Sequence, residues 1–83
     1  MENKVYEIKI REVYYKQIAS GEKTFDLQKN NDYKVGDLIK FREWNKEKGY
    51  TGHSLLRRIS YIQRGNDKYG LKDGYCILGL KKQ

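Results

Sequence analysis

The sequence predicts a single small domain of mostly β structure with one early α-helix, an α+β fold built on five strands. Three observations support this prediction. Segments with alternating apolar and polar residues recur, turn-forming residues separate them at intervals of about eight to twelve positions, and one segment alone has helical spacing. This pattern is typical of a small, mostly antiparallel barrel or strongly curved sheet with a helix at one end.

The chain length supports a single domain spanning residues 1–83. A chain of 83 residues buries only about 60–65% of the surface that it exposes when unfolded, so its core must be small. We find no internal repeat, linker or low-complexity segment that would divide it.

The first strand and the helix are predicted near the start of the chain. Residues 5–10 alternate as in a half-buried strand, whereas Tyr14 and Ile18 lie four positions apart within 11–20. Gly21 stands where a glycine C-cap ends a helix. We therefore expect a helix of about three turns that leads into a short loop.

A short alternating segment, Thr24–Gln28, is the second predicted strand and the centre of a predicted polar site. Alternation places Phe25 and Leu27 on one side, which we expect to face the core, and Asp26 on the other. Polar side chains would then lie close together on a strand whose opposite face packs against the core. They are Lys23, Thr24, Asp26, Gln28 and Lys29.

The remaining strands are predicted at 38–44, 54–63 and 75–80. Turn residues precede the first of these, and residues 45–52 form a hairpin connection. Residues 64–70 are predicted as a loop, followed by a turn at 71–74. The nearly all-apolar run at 75–80 predicts burial on both faces of the last strand.

The charge of the chain favours anionic partners. It carries 18 lysines and arginines against 11 acidic residues, a formal net charge of +7, without a basic run longer than two. A positive mean field attracts nucleic acids and nucleotides. No run approaches the roughly 20 apolar residues of a membrane span, and the charged first residues do not resemble a secretion signal, so we expect a cytoplasmic protein.

The cysteine and histidine content is too low for a structural metal site. The single cysteine, Cys76, cannot form an intrachain disulfide, and with the single histidine, His53, it leaves a zinc site short of ligands. We therefore expect no metal or cofactor. Cys76 lies in an apolar run and is interpreted as a small buried hydrophobic residue rather than a nucleophile.

The order of short motifs resembles a small bacterial and phage family of unknown function within the ASCH group of PUA-like barrels. These motifs are Ser20-Gly21, Lys23–Asp26, Val35–Asp37, Arg42–Trp44, Tyr50–Gly52 and Gly70–Tyr75. The resemblance covers almost the whole chain. It implies a small five-stranded β-barrel of the PUA/ASCH type and, by analogy, binding of RNA or a modified nucleotide.

Three departures from the family pattern affect the expected ligand contacts. Asp26 stands where the family usually has glutamate, Gln28 where it has arginine, and His53 where it often has arginine. Two bidentate anion-binding groups are therefore missing. Stacking and hydrogen-bond recognition by the remaining residues are unaffected.

We accordingly expect an RNA or nucleotide-like ligand in a cleft between the Lys23 loop, the polar strand and the hairpin around Trp44 and Tyr50. Single-stranded RNA is bound by aromatic stacking and by cations along the phosphates. The expected roles are anion contact for Lys23, Lys29 and Arg42, polar recognition for Asp26 and Gln28, and stacking for Trp44. Tyr50 could stack or pack across the hairpin, and His53 could contact a base or remain exposed.

Two other functions stay open from the sequence. Some ASCH proteins are amidohydrolases that act on acetylated cytidine, and this resemblance suggests Lys23, Thr24 and Asp26 as catalytic candidates, with no glutamate assignable. The third function is a protein-binding adaptor that uses an exposed sheet edge. The sequence does not fix the oligomeric state.

Overall fold

A computed structural model describes residues 3–83 as one mixed five-stranded sheet with an α-helix. The elements are β1 (Val5–Arg11), α1 (Glu12–Ser20), β2 (Phe25–Lys29), β3 (Leu38–Asn45), β4 (Gly49–Asn66), a 3-10 turn (Asp67–Tyr69) and β5 (Leu71–Lys82). The predicted mostly β fold with five strands and one early helix is therefore confirmed. Gly21 has a φ of 85° and ends α1 by donating its N–H to the Ile18 carbonyl, as a glycine C-cap does.

The sheet is open, so the predicted closed barrel is not confirmed. The strand order is β1-β3-β4-β5-β2, and β1 and β2 are edge strands in the part of the chain that the structure describes. Three of the strand pairs are antiparallel, whereas β1 and β3 are parallel. β1 and β3 can pair in parallel because the chain between them, which contains α1 and β2, is long enough to return to the same end of the sheet.

The start of β3 is held beside β1 by the buried side chain of Asp37. One carboxylate oxygen of Asp37 accepts the backbone N–H of Lys4 and the other accepts that of Lys34, both at 3.0 Å. The Leu38 N–H then donates to the Lys4 carbonyl at 2.9 Å. Asp37 therefore satisfies two loop amides at the point where the two strands meet.

The core lies on one side of the sheet, which we call the inner side. Its buried apolar residues come from every strand except β2, together with one residue of α1 and one of the loop before β3. They are Ile10, Ile18, Tyr33, Ile39, Phe41, Ile59, Cys76, Leu78 and Leu80. Cys76 is fully buried, which confirms its interpretation as a small core residue. The last strand alternates between buried and half-buried residues, so the predicted burial on both faces is only partly realised.

The orientation predicted for β2 is wrong. Phe25 and Leu27 are about half exposed, at 48% and 54%, whereas Asp26 is only 6% exposed and shares the inner side with its cross-strand partner Leu78. Alternation separates the two faces of a strand but does not determine which of them is buried. The buried carboxylate is tolerated because Lys23 and Gln28 contact it.

β4 is longer than predicted and includes most of the expected hairpin connection. The turn is confined to Asn45–Gly49, and two extra residues of β4 are accommodated in a bulge opposite Glu43, where Gly52 has a φ of 93°. At the other end β4 continues through the predicted loop to Asn66, which pairs with Leu71. None of the helices in residues 3–83 is long and apolar enough to cross a membrane.

Candidate functional site

The structure distributes the predicted site residues over three places. Asp26 and Gln28, with Lys23, lie on the inner side of the sheet, whereas Arg42 and Trp44 lie on the outer side. The single cleft expected from the sequence is thereby divided.

The first place is a buried polar cluster around Asp26. Its Oδ2 atom accepts a hydrogen bond from the Gln28 side-chain amide at 2.5 Å, and its Oδ1 atom lies 3.8 Å from Lys23 Nζ. Burial raises the pKa of Asp26 above its ordinary value. The Gln28 amide, the Lys23 charge and the Leu27 N–H oppose that rise. The pKa of Asp26 is raised overall, so the loss of hydration on burial outweighs these three favourable contacts.

The ammonium of Lys23 is enclosed by its own neighbours. Besides Asp26, it lies 4.7 Å from the centre of the Tyr14 ring and 5.6 Å from that of Phe25. Its backbone N–H donates to the Gln17 carbonyl at 2.9 Å, which fixes the loop after α1. Lys23 is therefore part of the structure of this loop, with 20% of its side chain exposed.

Thr24 and Lys29 flank the buried cluster without joining it. Thr24 is exposed, and its backbone carbonyl accepts the N–H of Leu80 at 2.8 Å. Lys29 is exposed at the end of β2, on the side of the strand that carries Phe25 and Leu27. Neither side chain has a described contact with Asp26.

The second place is a group of cationic and aromatic residues on the outer side of β1, β3 and the start of β4. We call it the basic patch and define it as Lys9, Lys40, Arg42, Trp44 and Tyr50. The strand register brings it together, since Lys9 pairs with Arg42 across β1–β3 and Trp44 pairs with Tyr50 across β3–β4. Residues paired across neighbouring strands present their side chains on the same face.

Two cations of the basic patch lie over its two aromatic rings. Lys9 Nζ is 4.6 Å from the centre of the Trp44 ring, and Arg42 Cζ is 3.9 Å from that of Tyr50. Arg42 also lies 3.5 Å from a carboxylate oxygen of Glu7. The rings are thus held in place by side chains on the same strands, and Tyr50 remains about half exposed.

A cavity of about 240 Å³ lies at the edge of the basic patch. Its lining residues are Glu7, Lys40, Arg42, Tyr50, Gly52, His53 and Ser54. Three of these side chains, Lys40, Arg42 and His53, carry nitrogen donors, and Glu7 is the single carboxylate. The cavity therefore combines hydrogen-bond donors with an aromatic wall.

The third place is a buried glutamate that the sequence analysis did not assign. Glu43 is 5% exposed, and its Oε1 atom accepts the Thr51 hydroxyl at 2.7 Å and lies 3.3 Å from His53 Nδ1. Burial raises the pKa of the Tyr15 hydroxyl, the nearby Glu43 carboxylate raises it further, and Arg57 opposes both. Strand alternation with Ile39 and Phe41 was the signal that could have placed Glu43 inside.

The contact with Glu43 fixes the orientation of the His53 ring. His53 is exposed and lies in the bulge of β4, and its Nδ1 atom is directed at the buried carboxylate. His53 also lines the cavity of the basic patch. His53 is thus a candidate ligand contact positioned from the interior.

The described residues contain no group of three or more histidine, cysteine or acidic side chains that could hold a metal ion. Burial raises the pKa of the Cys76 thiol, with the Asp26 carboxylate adding to the rise and Arg64 opposing it. A buried thiol with a raised pKa is a poor nucleophile.

The comparisons with known proteins identify the family and nothing more specific. No curated protein matches the chain. Residues 5–80 match the profile of a family described as a domain of unknown function, DUF3850. Because the match covers nearly all of the sequence, this chain belongs to the DUF3850 family.

Proposed function

We propose that this domain binds single-stranded RNA, or a nucleotide-like ligand, on the basic patch. The observation that carries the proposal is the pair of cation–aromatic contacts, Lys9 with Trp44 and Arg42 with Tyr50, side by side on one sheet surface. Single-stranded nucleic acids are bound by aromatic faces on which bases stack and by cations that follow the backbone. The basic patch offers both.

The cavity beside the patch supports a phosphate contact. Lys40 and Arg42 supply positive charge there, and His53 adds a ring nitrogen. Glu7 partly offsets the charge of Arg42, to which it is paired. Lys40 has no carboxylate within 4 Å in the part of the chain that is described, so its charge is free for an anion.

This proposal modifies the cleft expected from the sequence. It keeps Arg42, Trp44, Tyr50 and His53, and adds Lys9 and Lys40. The buried cluster of Lys23, Asp26 and Gln28 is assigned a structural role instead, because the Asp26 carboxylate is buried and is already contacted by Gln28 and Lys23. The motif order that resembles PUA-like ASCH domains supports the same class of ligand, and we propose that relationship as well.

The test uses Trp44, the single tryptophan of the chain, as a fluorescent reporter. A ten-nucleotide single-stranded RNA is titrated into the protein at two salt concentrations. We expect a change in Trp44 emission that saturates, and an affinity that falls as salt rises. The double variant Lys9→Gln/Lys40→Gln should weaken binding by tenfold or more.

The matched control is Lys16→Gln/Lys34→Gln, which removes the same charge from exposed positions outside the patch. If both double variants lose affinity equally, binding depends on net charge alone and the proposed site is wrong. If the folded wild-type protein does not respond to RNA, nucleic-acid binding is wrong.

Acetylcytidine is added in a parallel experiment that tests the amidohydrolase alternative. The residues suggested for it, Lys23, Thr24 and Asp26, form an ion pair and an exposed hydroxyl rather than an assembled nucleophile and base. We therefore expect no deacetylated product. Appearance of that product would replace the binding proposal by a catalytic one.

A further inference from the structure

We infer that a second surface, on the outer side of β4, β5 and β2, docks an acidic polypeptide segment with apolar side chains. We call this surface the apolar patch and define it as Phe25, Leu27, Tyr61 and Ile77. It does not depend on the proposed RNA binding, because it shares no residue with the basic patch. Tyr50 and Tyr61 lie eleven positions apart along β4.

The strand register assembles the apolar patch in two rows. Tyr61 pairs with Gly79, which pairs with Phe25, and in the next row Ile77 pairs with Leu27. Gly79 has no side chain between the two aromatic residues of the first row, and a Cβ there would lie 3.2 Å from Cβ of Tyr61. The register therefore places all four apolar side chains on the same face of three neighbouring strands.

This exposure is unusual for so polar a chain. Phe25, Leu27 and Tyr61 keep 48%, 54% and 59% of their surface in water, although only 37% of the residues in the chain are hydrophobic. Single exposed apolar residues are ordinary, but contiguous ones mark a surface that another molecule covers. The patch is therefore the strongest candidate for a second interface.

A depression of about 400 Å³ beside the patch provides a place for an anchoring side chain. Its lining residues are Gln63, Arg64, Tyr69, Leu71 and Ile77. Tyr69 is 79% exposed at the rim, and Leu71 and Ile77 form the apolar floor. An aromatic side chain of a partner fits such a site, and buried aromatic anchors contribute a large share of the binding energy at protein interfaces.

The charges around the patch select an acidic partner. Lys29, Lys72 and Lys81 are exposed on β2 and β5, and within the described residues none has a carboxylate within 4 Å. Asp73 is the acidic residue that β5 contributes. The unpaired lysines attract acidic side chains, whereas a second copy of this chain, with its net charge of +7, is repelled.

The composition of the patch favours a polypeptide over a nucleic acid. Its centre is made by Leu27 and Ile77, and the exposed cations Lys29 and Lys81 lie further along the same strands. An apolar centre with a charged rim is the arrangement of protein–protein interfaces. The basic patch differs, because there the cations lie over the aromatic rings themselves.

The experiment uses three synthetic peptides of equal length and nuclear magnetic resonance of the labelled wild-type protein. One peptide alternates glutamate with leucine and phenylalanine, the second has lysine in place of glutamate, and the third has alanine in place of the apolar residues. We expect the first alone to bind, with shift changes confined to residues 25–29, 61–64, 69–71 and 75–79. Mapping on the wild type avoids dependence on a variant that fails to fold.

The variants separate this inference from the proposed function. Leu27→Gln and Phe25→Gln should each weaken binding of the acidic apolar peptide about tenfold and leave RNA affinity unchanged. Lys9→Gln/Lys40→Gln should do the reverse. No binding of the first peptide at millimolar concentration overturns the inference, as does equal binding of all three or a shift map centred on the basic patch.

Two further outcomes would assign the patch to another occupant. Sedimentation that shows a dimer dissociated by Leu27→Gln would give the surface to a second copy of the chain. RNA-induced shifts at residues 25–29 would give it to nucleic acid. Either result contradicts an acidic protein partner.

Discussion

The buried carboxyl group of Asp26 makes the stability of the folded protein depend on pH. Burial raises the pKa of its carboxyl, so the folded protein holds this proton to higher pH than the unfolded chain does. Ionisation of Asp26 therefore opposes folding at neutral pH. Below the ordinary aspartate pKa of about 3.9 the group is protonated in both states, and the effect disappears.

Asp26→Asn should raise the free energy of unfolding at pH 7, because asparagine replaces the carboxylate by a neutral group of the same shape. The gain should shrink as pH falls and vanish below about pH 4. Urea unfolding of both proteins at several pH values measures it. Asp32→Asn, at an exposed position, is the control for the change in net charge. A loss of stability at pH 7 would instead show that the contact with Lys23 outweighs burial.

The hydroxyl of Thr51 stabilises the buried carboxylate of Glu43 by donating a hydrogen bond to it. Thr51→Val removes a hydrogen bond to a buried carboxylate and should reduce the free energy of unfolding by about 1–3 kcal/mol. Thr24→Val makes the same chemical change at a hydroxyl that has no described hydrogen bond and should cost less than about 0.5 kcal/mol. Chemical denaturation of the two variants tests this, and equal losses would contradict the role of the Glu43 contact.

The pairing of β4 with β5 depends on the glycine at the bulge between Arg64 and Asn66. A Cβ at Gly65 would lie 2.1 Å from the Lys72 carbonyl oxygen and 2.8 Å from that of Tyr75. Both contacts are with backbone, so the strands must move apart to accept it.

Gly65→Ala should therefore destabilise the protein by about 3 kcal/mol or more. Gly21→Ala is the comparison, because it faces open space and meets only the cost of a left-handed backbone, about 1–2 kcal/mol. Thermal and urea unfolding give both values. A smaller effect at Gly65 than at Gly21 would mean that the bulge adapts without loss of pairing.

The elements themselves were predictable, but the orientation of β2 was not. Alternation in Thr24–Gln28 reveals two faces, and apolar side chains ordinarily occupy the inner one. In the structure Asp26 takes that place because two neighbours in the sequence contact its carboxylate. Lys23 lies three residues before it and Gln28 two residues after it. Such pairing depends on tertiary geometry that periodicity does not contain.

The candidate site was predicted only in part, again because some of its contacts depend on tertiary geometry. Arg42, Trp44 and Tyr50 were expected together, because they flank one hairpin, and the register places them on one surface. Lys9 was not expected there, since its approach to Trp44 depends on the parallel pairing of β1 with β3. Glu43 was overlooked although the alternation of β3 marked its position.

At the scale of the whole molecule, the two proposed surfaces divide the outer side of the sheet between two kinds of recognition. The basic patch lies toward β1 and the apolar patch toward β2, at opposite ends of the strand order. Each includes residues of one edge strand, which is β1 in the basic patch and β2 in the apolar patch. The net charge favours anionic partners at both, which are a phosphate backbone at one and acidic side chains at the other.

The salt dependence of RNA binding should therefore change when the basic patch is altered and stay the same when the apolar patch is altered. For single strands, the slope of log affinity against log salt changes by about 0.7 for each phosphate contact. Lys9→Gln and Lys40→Gln should each reduce the slope by about that amount, whereas Leu27→Gln should leave it unchanged. Fluorescence titrations at four salt concentrations measure it. Slopes that stay equal in all variants would show that counterions are released elsewhere on the molecule, and the basic patch would lose its assignment.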